Sequence, residues 1–402
     1  MLTRRPLLRR LGLAGGVMLL VAASFAGGVY VDQTYPDAVP VFGGHGGHVD
    51  QSSIEAAARL IRANYYDTHV SGGQLGESSI QGMVQGLHDP YTRYLTPAQY
   101  RDQQDAYAGR HTGIIGIYVV FSGQRPVISG VVPGSPAQTA GLRGGDVILA
   151  IGGRDTTGMT TDKASALIRG SAGSVVTLRV QRGDSQLTIG VKRSTFISPT
   201  VQSTRLAGGV LYLRIYEFGD NTQKEFDQQL KAGLPGSRAI VLDLRDNGGG
   251  FVSAATAVIS RFVVSGEAFE TRGRNQTERT NVDGNHPAGG LPVVVLVNGG
   301  TASASEIVAG SLQAHHRARL VGTRTYGKGS VQVDYPLPDG GDLHLTIQHW
   351  YLPDGRSIGH SGLTPDDQVS LPDAAGMFDV VEPSRGHAAD TQLNAALQRL
   401  GP

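Results

Sequence analysis

The chain has 402 residues, of which 40% are apolar, 17% are charged and 57 are glycine, and its 35 basic and 34 acidic side chains leave a net charge of +1. A charged share below the usual ~25% and a glycine share about twice the usual ~7% exclude wholesale disorder and predict strands and tight turns in two or three domains of ~150 residues each. The near-zero net charge excludes a global field for nucleic acid, and the absence of cysteine excludes disulfides, thiolate metal sites and cysteine nucleophiles.

Arg4, Arg5, Arg9 and Arg10 (flank, residues 1–10) precede an uncharged run over 11–31 that as a helix would span about 31 Å, the thickness of a bilayer core. A basic flank stays in the cytoplasm, so 11–31 reads as a transmembrane anchor or signal sequence with the catalytic body outside, periplasmic or extracellular. The body is secreted if the segment is cleaved, and Ser24-Phe25-Ala26 is a loose cleavage site. The stretch from Thr3 to Leu8 is faintly similar to a twin-arginine signal. Residues 32–51 read as a linker, in which His45 and His48 lack a carboxylate partner and read as solvated.

Three helices are predicted within 52–110. The first, Ser53 to Tyr66, carries Ile54, Ala57, Ala58, Ile61 and Tyr65 on one face. The second, Ser79 to Leu87, stops before Asp89-Pro90, and the third runs from Pro97 to Ala108 with Thr96 as N-cap. Over 111–194 the texture becomes short strands and glycine turns: Gly113–Phe121, Val127–Val132, Asp146–Ile151, Ser174–Gln181 and Leu187–Lys192, with helices Pro136–Ala140 and Thr161–Arg169. That content fits a small half-open β-barrel. Over 195–372 apolar strands (Val210–Tyr216, Ala239–Leu244, Leu291–Val297, Ala318–Val321) alternate with helices (Asn221–Lys231, Val252–Phe262, Ser303–Gln313), which implies α/β layering. Strands Ser330–Tyr335 and Leu343–Tyr351 follow, and the segment 373–402 ends in an amphipathic helix, Asp390–Leu400.

No His-Glu-x-x-His helix and no Gly-x-Ser-x-Gly elbow is present, which sets aside zincins and ordinary α/β-hydrolases. In the stretch from Leu291 to Glu306 a buried strand enters a small-residue turn and then a helix. Ser303 falls at the helix N-terminus, where free N–H groups favour a developing negative charge; Ser303-x-x-Glu306 is equally a capping box. Gly322 to Ser330 nearly spells a P-loop, but the magnesium-binding hydroxyl position holds Gly329 and a strand follows where a helix is needed. Lys328, flanked by glycines between apolar strands, would lose its proton more readily if buried, and a neutral amine near Ser303 is a general base. The oxyanion needs backbone donors: Ala304 offers one, and the turn Arg245-Asp246-Asn247-Gly248-Gly249-Gly250 is a source of a second.

Several pieces together resemble the carboxyl-terminal processing peptidases, or tail-specific proteases. In family order they are the stretch from Gly82 to Pro97 (GM-x-x-SL-DPYS-x-YL-TP), Val132 to Ala137 with Ala140-Gly-Leu142 and Gly145 to Ile148 (the embedded PDZ domain), Leu242 to Gly250 (DLR-x-N-P-GG), Thr301 to Glu306 (SASASE), Tyr326-Gly-Lys-Gly329 (FGKG), and Tyr351 to Ile358 with Gly362 to Asp366. With the N-terminal membrane helix read from 11–31, the resemblance, which runs from about Ile54 to the C-terminus, implies a multidomain α+β and α/β chain with a helical cap segment, a PDZ β-barrel-like domain at 111–194 and a crotonase-like α/β serine peptidase core at 195–372. It implies a Ser-Lys dyad of Ser303 and Lys328, assistance from Gln332, oxyanion donors on the amides of Gly249 and Ala304, and no metal or cofactor. Gly113, Ile115, Gly116 and Ile117 fall in the PDZ peptide-binding loop, where amides hold a terminal carboxylate. Three departures stand out: Gly248 replaces the usual proline, Thr301 replaces the first serine, and Thr112 to Ile117 is one residue longer between glycines. The implied activity is a membrane-tethered endopeptidase that captures exported proteins or peptides by exposed apolar C-termini and cleaves them through an acyl-enzyme on Ser303. No nucleic-acid partner is expected, and the terminal helices suit a homodimer. The alternative is a PDZ scaffold with an inactive protease fold.

Overall fold

The computed structural model describes residues 49–66, 69–108, 110–122, 124–373 and 376–401. The expected flank, membrane segment and linker histidines lie outside the described residues, and among the described residues no helix is long and apolar enough to cross a membrane. The chain divides after Ser79 into two units.

In the first unit, helix α1 (Gln51–Asn64) starts two residues before the expected Ser53, because Asp50 caps it by accepting from the Ser53 N–H at 3.3 Å. Helix α2 (Gly72–Gln85) starts well before the expected Ser79. Its glycines hide the start, but Ser71 and Gln74 exchange reciprocal hydrogen bonds of 3.1 Å that nucleate the first turn.

The division falls within α2, and the second unit continues from it with strand β1 (Arg93–Leu95) and helix α3 (Pro97–Tyr107), capped by Thr96 as expected, with Gln99 completing a capping box. After strand β2 (Arg110–Ile114), which lies in a separate two-stranded sheet, strands β3 (Ile117–Ser122), β4 (Arg125–Val131), helix α4 (Pro136–Thr139), β5 (Val147–Ile151), β6 (Arg154–Asp155), helix α5 (Thr161–Ile168), β7 (Val175–Arg182) and β8 (Ser185–Lys192) form the small barrel. Its sheet order is β3-β4-β5-β7-β8, with β6 on β5, around a core that includes Ile115, Ile128, Ile148 and Leu178. The single strand expected over Gly113–Phe121 is two strands, because the run breaks at Ile115-Gly116, where Gly116 takes a φ of +81°.

Strand β9 (Ser194–Ile197) pairs with β2 and leads into β10 (Val201–Leu206), β11 (Val210–Ile215), helix α6 (Thr222–Gly233), β12 (Ala239–Asp243), helix α7 (Val252–Ser260), β13 (Glu267–Gly273), β14 (Thr277–Asn281), β15 (Val293–Val297), helix α8 (Ala304–Ala314), β16 (Arg319–Gly322), β17 (Ser330–Pro336), β18 (Asp342–Tyr351), β19 (Asp367–Gln368) and helix α9 (Thr391–Leu400). The central sheet runs β10-β11-β12-β15-β16-β19, parallel except for β10. Every residue of β11, β12 and β15 is buried, as a parallel sheet covered on both faces requires. Helices α6, α7 and α8 pack Phe226, Val258, Ile259 and Ile307 against Leu213, Leu242 and Val295 on one face. On the other, Leu393 and Ala396 of α9 join Tyr212, Val241 and Leu296. A second, antiparallel sheet runs β1-β18-β13-β14, with β17 on β18.

The turn after β12 is tied to α9 by charge. The Arg245 guanidinium is fully buried between the carboxylates of Asp243 (2.6 Å) and Asp390 (2.9 Å). Asp390 is also the N-cap of α9, accepting from the Leu393 N–H at 2.9 Å.

Candidate active site

Parallel α/β sheets place functional groups at the carboxyl ends of their strands. Here adjacent strands β12 and β15 deliver the turn 245–250 and the turn 298–303 side by side. Asn247 joins them: its carbonyl accepts from the Ala302 N–H (3.0 Å) and the Ser305 hydroxyl (3.0 Å), while its side-chain amide donates to the Ile215 carbonyl at 2.9 Å.

Three hydroxyls crowd this turn, and their partners distinguish them. Thr301 is buried and donates to the Leu244 carbonyl at 2.8 Å, and Ser305 is buried and donates to Asn247. Ser303 instead lines a groove of about 490 Å³ shared with Gly249, Lys328 and Gln332. Ser303 sits at φ +54° and ψ −119°, a left-handed conformation that costs a non-glycine residue of the order of 1–3 kcal/mol and is held by the turn around it.

The Ala304 N–H makes no hydrogen bond among the described residues, whereas the N–H groups of Ser303, Ser305, Glu306 and Ile307 are all engaged. The Gly249 N–H donates to the Asn247 side-chain oxygen at 2.9 Å, so in this state it is not free for an oxyanion. Gly249 is nevertheless in close contact with the turn. A Cβ there would lie 2.8 Å from both the Ala302 carbonyl oxygen and Ser303 Cβ, and its φ is +103°. Gly249→Ala should therefore displace the Ser303 turn, lowering stability by about 1–3 kcal/mol and kcat by about 100-fold, as read from urea melts and steady-state rates.

Lys328 is held between Gly327 and Gly329, each of which a Cβ would drive to 2.8 Å from backbone of the loop 359–362. The Trp350 indole donates to the Lys328 carbonyl at 3.1 Å. Burial holds the Lys328 amine below the ordinary lysine range, Arg93 pushes the same way, and Asp89 opposes them. Its Nζ lies 5.3 Å from the centre of the Tyr91 ring, and no hydrogen bond among the described residues joins it to Ser303. The Gln332 amide donates to Ser330 (2.8 Å) and Thr346 (3.0 Å) rather than reaching the amine.

Glu306 was legible only as a capping residue, and it does more. Its buried carboxylate accepts from the Ser303 N–H (2.9 Å), the Lys328 N–H (2.9 Å), the Gly327 N–H (2.8 Å) and the Thr325 hydroxyl (2.5 Å). One side chain thus joins the backbones of the serine turn and the lysine loop, and the N–H groups of the P-loop-like segment face a carboxylate rather than a phosphate. Burial raises the Glu306 pKa against the pull of these four donors.

A second cavity of about 240 Å³ lies in the barrel and is lined by Ile114, Ile115, Gly116, Ile117, Arg169 and Glu217, among others. Gly113, expected here, falls outside the lining; a Cβ on it would meet the Gly170 carbonyl, and Ile114 takes its place. The N–H groups of Ile115 and Gly116 make no hydrogen bond among the described residues. Glu217 lines both cavities, and burial pushes its carboxyl up to about 7, with Glu225 adding to the effect. The rings of Tyr118 on β3 and Tyr216 stack at 4.4 Å, and one residue beyond Glu217 the Phe218 N–H donates to the Gly249 carbonyl at 2.9 Å.

Comparison with known proteins matches residues 209–369 to peptidase family S41, residues 127–182 to the PDZ domain, and residues 44–98 to the N-terminal domain of the activating protease CtpB. The chain is 36% identical over 365 residues to a carboxy-terminal-processing protease of Bartonella bacilliformis, covering 85% of this chain and 83% of that one. It is 33% identical over 325 residues to a probable CtpA-like serine protease of Staphylococcus aureus, strain bovine RF122, covering 80% of this chain and 65% of that longer relative. Among solved structures, a photosystem II D1 C-terminal processing protease superposes with a TM-score of 0.55 at 28% identity, over 81% of this chain and 94% of that one. A putative S41 protease from Bacteroides fragilis shares the fold at a TM-score of 0.55 and 19% identity, over 89% of this chain and 98% of that one.

Proposed function

Because the chain belongs to peptidase family S41 and is a serine-type, carboxy-terminal-processing peptidase with a PDZ domain, we propose that it cleaves exported proteins captured by their C-termini, using Ser303 as nucleophile and Lys328 as base. The observation that carries this reading is that Ser303, alone of the three hydroxyls in its turn, faces a groove that also holds a lysine whose burial favours the neutral amine.

In this mechanism the Lys328 amine takes the Ser303 proton as Oγ attacks the scissile carbonyl. The developing oxyanion rests on the Ala304 N–H and on a second donor from the glycine turn 248–250. Gly249 serves once its bond to Asn247 opens. The intermediate collapses to an acyl-enzyme as the Lys328 ammonium protonates the leaving amine. Lys328 then takes a proton from a water that attacks the acyl carbon, and returns it to Ser303 Oγ as the Oγ–acyl bond breaks and the acid leaves. Gln332, braced by Ser330 and Thr346, lines the groove beside the amine.

The free amides of Ile115 and Gly116 suit a terminal carboxylate, and the apolar lining suits an apolar last residue. A tail in that cavity meets Glu217, and the next residue, Phe218, donates its N–H to the Gly249 carbonyl. Occupancy of the barrel therefore has a short physical route to the oxyanion turn, consistent with a site that tightens only when a tail is bound. The run over 11–31 supports an anchored or exported body.

The test uses the purified full chain in detergent and an unfolded substrate ending in an apolar residue. Cleavage is expected from the wild type, at a rate that chelator does not change, and none from Ser303→Ala. The same substrate with an amidated C-terminus should be cut more slowly, by about 10-fold or more if the lost carboxylate contacts are worth about 1.4 kcal/mol. Tail binding by the wild type with no cleavage would instead support the scaffold reading.

A further inference from the structure

The hairpin of β17 and β18 carries a polar cluster that the hydrolytic chemistry does not use. Asp334 stands directly opposite His344, and Asp342, two positions before His344, projects from the same face. The three side chains bring ligand atoms within 4.8 Å of one another. His344 Nδ1 lies 2.5 Å from an Asp334 oxygen. The Gln103 and Gln104 amides reach Asp334 only at 3.3–3.4 Å.

Asp342 is the second, independent observation. It is 0% exposed, and among the described residues neither carboxylate oxygen has a hydrogen-bond donor. Among the described residues no lysine or arginine pairs with either aspartate. A wholly buried carboxylate without donor or counter-charge costs several kcal/mol, and a second carboxylate beside it adds repulsion. Asp334 and His344 line the catalytic groove, which gives a small ion a way in.

We propose that Asp334, Asp342 and His344 form a binding site for a divalent transition-metal ion of the zinc type, separate from the Ser303 and Lys328 chemistry. One ion would neutralise both carboxylates. One imidazole and two carboxylates form a borderline donor set that suits zinc better than magnesium or calcium, with water completing the shell. This goes against the sequence-based expectation of no metal. The signal that hairpin pairing hides in one dimension is Asp342-x-His344 folding back onto Asp334.

The purified full chain, stripped with chelator and dialysed against micromolar zinc, should retain about one equivalent, and its thermal midpoint should rise with zinc concentration. Cobalt should give a visible absorption band that zinc displaces; this reads the site in the wild type without any variant. Asp342→Asn, which keeps the volume, and His344→Ala should each weaken zinc binding by about 100-fold or more while the far-UV spectrum stays native. Equal zinc retention by wild type and Asp342→Asn would put the ion elsewhere and overturn the proposal. So would a wild type that takes up neither metal while Asp342→Asn melts higher regardless of zinc, the signature of a proton shared between the two aspartates.

Discussion

Lys328→Arg should abolish turnover, with kcat falling by about 1,000-fold or more, although the positive charge is kept. A guanidinium does not deprotonate in a protein and cannot receive the Ser303 proton. Burial and Arg93 both hold the Lys328 amine below the free-lysine value of about 10.4. In the proposed mechanism the neutral amine is the active form, so activity should be lost as pH falls through the folded pKa and gained as pH rises through it. The wild-type kcat/KM should therefore show a rising limb with its midpoint below that of free lysine. Arg93→Gln removes one of the two influences and should move the limb to higher pH. A Lys328→Arg enzyme with near-normal rate would falsify the neutral-amine base.

The second large effect is expected at Glu306. In Glu306→Gln an amide NH₂ replaces one carboxylate oxygen and meets N–H or O–H donors that it cannot accept from, on the Ser303 and Lys328 side or the Thr325 and Gly327 side. Two donors left unsatisfied cost about 2–6 kcal/mol. The serine turn and the lysine loop lose their common anchor, and kcat should fall by about 100-fold even where the protein is fully folded. Urea melts give the first quantity, and rates at a temperature where both proteins are native give the second. A variant that loses stability but keeps the wild-type kcat and pH profile would make Glu306 a structural cap only.

The parts of this fold that were legible in sequence are those whose environment is uniform. Strands β11, β12 and β15 are apolar throughout because both faces are covered, and Thr96-Pro97 announces α3 by local chemistry alone. Strands β10, β13 and β14 are not legible in the sequence because they lie at or near sheet edges and carry charge, as in Glu267–Gly273 and Thr277–Asn281; their pairing with neighbours makes them strands. The candidate site divides in the same way. Spacing drew attention to Ser303, but Thr301 and Ser305 are distinguished from it only by hydrogen bonds to Leu244 and Asn247, far away in sequence. The capping box identified one contact of Glu306 and gave no hint of the Lys328 loop, because that contact depends on where β16 ends.

The buried Arg245 has a consequence for where the catalytic half of the molecule ends. The match to the peptidase family stops at residue 369, yet the counter-charge for this guanidinium comes partly from Asp390. A minimal catalytic fragment trimmed to the matched region would bury a cation with half its neutralisation removed, immediately below the glycine turn that faces the serine. The last helix never touches the groove, but it serves as the foundation on which that turn is built.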